Sequence, residues 1–287
     1  MSSPVTTVSK LAEDLRSLGL GSGMVVMVHT SYRAVGAVEG GPIGVVRALR
    51  AVVGSEGTLV MPAHTMHLTD PANWRDPAVP EYAWRGIRLG MRPFEPASTP
   101  TSGMGVVAEL FRRMPGTLRS RHPIESVCAQ GPLAERITAR QPWNAPAGPL
   151  GPLGQLYELD AYVLLLGVNH NRNTSIHLAE ELLPVPYQRV DRVPVYLHGR
   201  IVWEEVRSRA VCSEGFVRLD PLLDEAGLQV HGRVGQAHAR FVRQRAVVDL
   251  ALAMLRDDPF ALLCPPGECA HCDHARATVS AQWVHGR

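Results

Sequence analysis

A chain of 287 residues is long enough to bury a substantial core, as one large α/β domain or two small ones. A formal net charge of +2, with 45% hydrophobic and 20% charged residues, marks an ordinary globular protein and argues against a nucleic-acid-binding surface. No stretch approaches the ~20 apolar residues of a membrane span, and MSSPVTTVSK at the start has no apolar run of a secretory kind. We therefore expect a cytoplasmic protein with its five cysteines reduced, and neither nucleic acid nor membrane as partner.

Residues 7–18 place Val8, Leu11, Leu15 and Leu18 at helical spacing before Gly19 and Gly21, which predicts a helix. Met24–Val28 is an apolar strand delivering His29-Thr30-Ser31 at its carboxyl end. A helix follows from Pro42 to Val53, then a strand over Gly57–Met61, which together suggest a parallel crossover. From Ala63 to Pro100 periodicity fails among several prolines and the aromatics Trp74, Tyr82, Trp84 and Phe94. Such a segment inside a domain is more often a binding loop or lid than a linker.

Helical spacing resumes over Gly103–Met114, with a strand over Ser126–Gln130 and helices over Leu133–Arg140 and Leu153–Leu159. Tyr162–Val168 is a short Val/Leu-rich run that reads as a buried strand, ending in a Gly and Asn cluster. Asn173 or Thr174 then caps a helix carrying His177, Glu180 and Glu181 on one face. Val193–Val211 alternates as a hairpin about His198-Gly199-Arg200, and helices are expected over Phe216–Ala226 and Gln236–Arg256. The fold class predicted is α/β: a single compact domain with a central mixed, largely parallel sheet, flanking helices and an antiparallel insertion. Residues 1–262 form the domain and 263–287 a Cys/His-rich tail.

Four polar clusters stand at element ends: His29-Thr30-Ser31, Thr99 to Gly105, Arg119 to Ser126, and the segment holding His170 and His177. Ligands of open α/β sheets bind at the carboxyl ends of strands, where the first and last of these fall. Imidazole beside carboxylate suits a proton acceptor working near neutral pH. Hydroxyl and Gly residues ahead of a helix offer donors to phosphate or carbonyl oxygen. Each cluster taken singly also reads as caps and solvated arginines. Signatures of the phosphate loop, the nucleophile elbow, HExxH and the dinucleotide fold are all missing, which leaves a transferase or a ligand binder.

Three ordered stretches are more specific: HTSYRAVGAVEGGP, PTSGMGVVAELFRRMPGTLRSRHPIES and PLGQLYELDAYVLLLGVNHNRNTSIHLAEE. Between about Leu11 and Val211 the chain resembles the aminoglycoside 3-N-acetyltransferases, an acetyltransferase fold distinct from the GNAT superfamily. The resemblance implies acetyl-CoA as donor and the 3-amino group of a 2-deoxystreptamine aminoglycoside as acceptor. It also implies that His29, Thr30, Ser31, Val35, Gly36, Thr99, Thr101, Ser102, Arg119, Ser120, His122, Pro123 and Ser126 line the pantetheine and phosphates. Such chemistry needs a base, for which His170 and His177 are the candidates, with Glu180 as orienting partner. It needs oxyanion donors as well, from the hydroxyl clusters or the N–H groups beside them. For the cationic acceptor we single out Glu81, Asn171, Glu181 and Glu205.

The chain departs from the family pattern in one place. Asn169-His170-Asn171 stands where the family often has Gly-His-Asp, which removes a carboxylate beside a candidate base. That leaves open a related N-acyltransferase acting on another amine or acyl-CoA, and a zinc hydrolase built on His170, His177 and Glu180. In the tail, Cys264, Cys269, Cys272 and His274 have spacing suited to a structural zinc, the competing reading being a tail without metal. A homodimer is left open.

Overall fold

The computed structural model describes residues 5–75 and 77–285, the last helix by its backbone alone from residue 280. Helix α1 (Val8–Ser17) starts where the Thr7 side chain accepts the Lys10 N–H. Strand β1 (Val25–Thr30) runs into the one-turn α2 (Tyr32–Val35), then α3 (Pro42–Val53), with Pro42 in its first turn, and β2 (Thr58–Pro62). After α4 (Glu81–Gly90) come α5 (Gly105–Arg112), β3 (Leu118–Arg119), β4 (Val127–Gln130), α6 (Ala134–Thr138), α7 (Pro152–Glu158) and β5 (Tyr162–Leu166). Helix α8 (His177–Leu182), the hairpin β6 (Arg189–Leu197) and β7 (Arg200–Ser208), and α9 (Leu219–Glu225) follow. The chain closes with β8 (Gln229–Val234), β9 (Ala237–Arg243), α10 (Gln244–Asp257) and α11 (Ala270–His285).

Seven strands form one sheet in the order β3-β4-β2-β1-β5-β9-β8; β2, β1 and β5 are parallel, and the flanking pairs antiparallel. The central strands are apolar throughout because both faces are covered. Met27, Val163 and Leu165 enter one core, while Val26, Val28, Leu164 and Leu166 enter the other. The β6–β7 hairpin is a separate ladder whose Val193 and Val206 pack with Leu68 and Ile124. This is the predicted mixed sheet with an antiparallel insertion.

Strand β1 is followed by β2 on one side, and the chain later returns on the other side as β5. The direction of winding therefore switches beside β1, which opens a crevice at the carboxyl ends of these strands. His29 is the penultimate residue of β1, and His64 and His170 follow the ends of β2 and β5. Gly167 closes β5 at φ 66°, and a Cβ on it would lie 2.3 Å from the Ala34 Cβ, so only glycine lets α2 sit against this turn.

Two expectations are corrected. The helix expected from Gln236 begins only at Gln244, and residues 229–243 are an antiparallel hairpin turning at Gly235-Gln236. Lid segment 63–100 contains α4, which has no buried residue. It is held by the Arg88–Asp70 pair (2.7 Å) and by the Trp84 indole donating to the Val79 carbonyl (2.9 Å).

Candidate active site

His177 opens α8, and one helical turn brings Glu180 beneath it. The imidazole Nδ1–H donates to Glu180 Oε2 (2.6 Å), while Tyr187 donates its hydroxyl to Oε1 (2.8 Å). Glu180 is fully buried, and burial raises its carboxyl above the ordinary range against the pull of His177 and Tyr187. The edge of Phe216 packs on the His177 ring at 4.8 Å. His177 keeps 12% of its side chain exposed, so a bonded Nδ1 coexists with a ring that still meets solvent.

His170 is placed differently. It has no exposure; Nε2 lies 3.1 Å from Gln229 Oε1, and Nδ1 lies 3.2 Å from Asn173 Nδ2. Burial lowers its pKa, and both ring nitrogens already have partners. That geometry suits a fixed neutral imidazole supporting the turn after β5.

Sequence reasoning missed His64, Tyr187, Arg189 and Asp191, and held Glu125 only as part of the Arg119 to Ser126 cluster. Arg189 bridges Glu125 (2.6 Å) and Asp191 (2.5 Å) at the start of the hairpin. Burial works to raise the Glu125 carboxyl, but Arg189, with His122, His64 and His177 nearby, holds it below its ordinary value. His64 and His29 are driven by burial down to about 4 and about 3. His29 feels His64 and His170, and His64 feels His177 and His122, so the histidines lie along one rim. Tyr187, Arg189 and Asp191 fall in one short stretch far in sequence from His64, and no spacing signal ties them together.

Beside this rim is a cavity of about 580 Å³. Its walls include Met66, Thr69, Trp74, Arg75, Ser102, Gln188–Asp191, Val211 and, on α11, His271, His274 and Ala275.

The residues expected to line a cofactor divide into two groups. His29, Thr30, Ser31 and Ser102 stand at the crevice or the cavity. His29 Nε2, Thr30 Oγ1 and His64 Nε2 are buried without a hydrogen-bond partner, although Ser31 also caps α2. The polar groups of the remaining residues are engaged inside the fold. Arg119 donates to Ser126 Oγ (3.0 Å) and to the carbonyls of Thr99 (2.6 Å), Ala63 (2.6 Å) and Pro96 (3.3 Å), and it lies over the Phe94 ring. Burial pushes the Arg119 guanidinium down to about 10. Ser120 bonds Val127 and Gln141, and His122 accepts the Glu125 N–H (2.9 Å). The Pro123 carbonyl accepts from Thr65, Ser126 donates to the Ala63 carbonyl, and Thr101 donates its N–H to Glu109. Thr99 accepts the Glu95 N–H, Val35 is core, and Gly36 packs on Gln236.

The four residues expected at the acceptor site do not line this cavity. Glu81 is exposed at the start of α4, and Asn171 bonds Glu214 (2.7 Å). Glu181 is 1% exposed and taken by Arg209, while Glu205 pairs with Arg207 on the hairpin.

In the tail, Cys264, Cys269 and Cys272 do come together, but their fourth neighbour is Cys212. His274 instead lies 3.2 Å from the Arg75 guanidinium. Cys264, Cys272, Ala275 and Val279 pack into the larger core. Among the described residues no helix is long and apolar enough to cross a membrane.

Comparison with known proteins agrees with this architecture. The family described as aminoglycoside 3-N-acetyltransferase matches residues 27–256. Aminoglycoside N(3)-acetyltransferase IV of Salmonella sp is 39% identical over 259 residues, covering 90% of each chain. The solved structure of an AAC(3)-IVa mutant in complex with a gentamicin superposes with a TM-score of 0.82 at 36% identity, covering 96% of this chain and 99% of that one. AAC-IIIb in binary complex with CoASH gives 0.77 at 30% identity, covering 88% and 97%. With the sheet, the crevice and the matched span in agreement, the chain belongs to the aminoglycoside 3-N-acetyltransferase family.

Proposed function

We propose that the protein acetylates the 3-amino group of a 2-deoxystreptamine aminoglycoside, with acetyl-CoA as donor and no covalent enzyme intermediate. The observation that carries the reading is the His177–Glu180–Tyr187 chain of hydrogen bonds, which adjoins the cavity wall in sequence through Gln188, in a member of this family. The acceptor is an ammonium at neutral pH and has no lone pair until it loses a proton. Glu180 holds the Nδ1–H of His177, which leaves Nε2 as the atom that takes that proton. The freed amine adds to the thioester carbonyl, the nitrogen of the adduct releases its second proton to solvent, and the tetrahedral intermediate collapses with cleavage of the C–S bond. The CoA thiolate then receives a proton back from His177, giving amide and free thiol. His170 is a support in this scheme, since both its nitrogens are engaged.

His29 Nε2, Thr30 Oγ1 and His64 Nε2 are buried near the strand ends without a hydrogen-bond partner, a demand that amides or hydroxyls of a bound pantetheine would meet. The CoASH complex of AAC-IIIb supports the donor, and the gentamicin complex of AAC(3)-IVa supports the acceptor.

A second reading, an N-acyltransferase for a different amine, is favoured by the cavity wall. Among the described residues of that wall, Arg75 and Arg189 stand beside one carboxylate, Asp191, and Arg189 neutralises it. A thiol-release assay with acetyl-CoA and a panel of aminoglycosides, with NMR of the product, tests both. Acetylation at N3 is expected. No release with any 2-deoxystreptamine compound would defeat the first reading, and turnover confined to another amine would establish the second.

A further inference from the structure

Four of the five cysteines gather from three parts of the chain. Cys212 follows the hairpin, Cys264 and Cys269 bracket the turn Pro265-Pro266-Gly267-Glu268, and Cys272 lies in the first turn of α11. Their sulfurs all lie within 4.8 Å of one another, and Cys212 is 3.8 Å from both Cys264 and Cys269. A disulfide requires about 2.05 Å, so these are not bonded pairs. A tetrahedron with metal–sulfur distances of about 2.3 Å has sulfur–sulfur edges of about 3.8 Å, the spacing of Cys212 from Cys264 and from Cys269. Two backbone N–H groups also point at sulfur: that of Cys264 at Cys272 (3.3 Å) and that of Glu214 at Cys212 (3.4 Å). Donors of this kind stabilise thiolates around a metal.

We propose that Cys212, Cys264, Cys269 and Cys272 bind one structural Zn²⁺, which staples α11 to the segment after β7 and so fixes a wall of the acceptor cavity. Four protein sulfurs fill a tetrahedral sphere and leave no open position, so the ion takes no part in acyl transfer. Its influence is positional. Cys272 sits between His271 and His274, which line the cavity, and Val211, beside Cys212, lines it too. Four residues past Cys212, Phe216 packs against the catalytic candidate His177. A single ion thus joins the cavity wall and the packing of the base to one fixed point. The positional half of this inference rests on the acetyltransferase reading; the metal half does not.

The test uses the full chain. Elemental analysis after dialysis is expected to find one zinc per chain in wild type and in Cys128→Ser, and a loss of zinc in Cys212→Ser and in the milder, partly exposed Cys269→Ser. Wild type stripped of metal and titrated with Co²⁺ alone should develop the intense thiolate-to-cobalt charge-transfer band and the visible bands of a tetrahedral four-sulfur site. Zinc-free wild type that gains no such band, or Cys212→Ser that keeps its full zinc, would overturn the metal site. If the zinc is present and the Cys269→Ser enzyme keeps its acceptor KM and melting temperature, the stapling role is overturned. The metal analysis stands even if no aminoglycoside is turned over.

Discussion

His177 Nδ1 and Glu180 Oε2 are 2.6 Å apart across a single turn of α8, and the second oxygen of that carboxylate is held by Tyr187 from beyond the helix. The arrangement fixes the tautomer of the ring and its orientation together. Replacing His177 by Ala should lower kcat by about 10²–10⁴-fold, with acetyl-CoA binding little changed by calorimetry. A variant with wild-type turnover would move the base elsewhere.

Tyr187→Phe removes one donor from a buried carboxylate, which costs about 1–3 kcal/mol of stability. In a chain of this size the melting temperature should fall by a few degrees per kcal/mol. Glu180→Gln keeps the shape but exchanges the charged acceptor for an amide, so kcat should drop more than it does in Tyr187→Phe. Equal kcat losses in the two variants would reduce Glu180 to a packing role.

Acid should destabilise the fold through its rim of histidines. His29 and His64, pushed by burial to about 3 and about 4, are neutral in the folded protein, while in the unfolded chain they titrate near 6.5. Stability from these groups is therefore full above about pH 6.5. It is lost as pH falls toward their folded values, because the unfolded state then binds more protons. The limiting slope is about 1.4 kcal/mol per pH unit for each group. Urea titrations at a series of pH values should show this decline, and His64→Gln should flatten it. An unchanged slope in that variant would remove His64 from the account.

Arg119 joins the lid segment to the sheet through the carbonyls of Ala63, Pro96 and Thr99. Arg119→Ala should cost about 3 kcal/mol in denaturant unfolding and open residues 63–100 to limited proteolysis. Arg119→Lys should recover little, since an ammonium cannot span the same set of acceptors as a planar fork. Intact stability together with a raised KM for acetyl-CoA would instead make Arg119 a direct ligand contact.

What the sequence determined by itself was the part governed by local pattern. The continuous apolar runs of β1, β2 and β5 announce strands covered on both faces, and the histidines after β1 and β5 follow from where those strands end. The His177–Glu180 pair was legible because one helical turn fixes it. Tertiary structure decided the rest. Strands β8 and β9 bury only part of each strand, so their polar alternation could not be told from the start of α10. Glu181 and Asn171 looked available to a substrate, but Arg209 and Glu214, distant in sequence, hold them. Glu125 meets Arg189 across the fold, and Cys212 joins three tail cysteines lying more than fifty residues downstream. Spacing along a chain records only what one helix or strand brings together. Which charge meets which, and which sulfur completes a site, depends on how separate elements pack against the sheet.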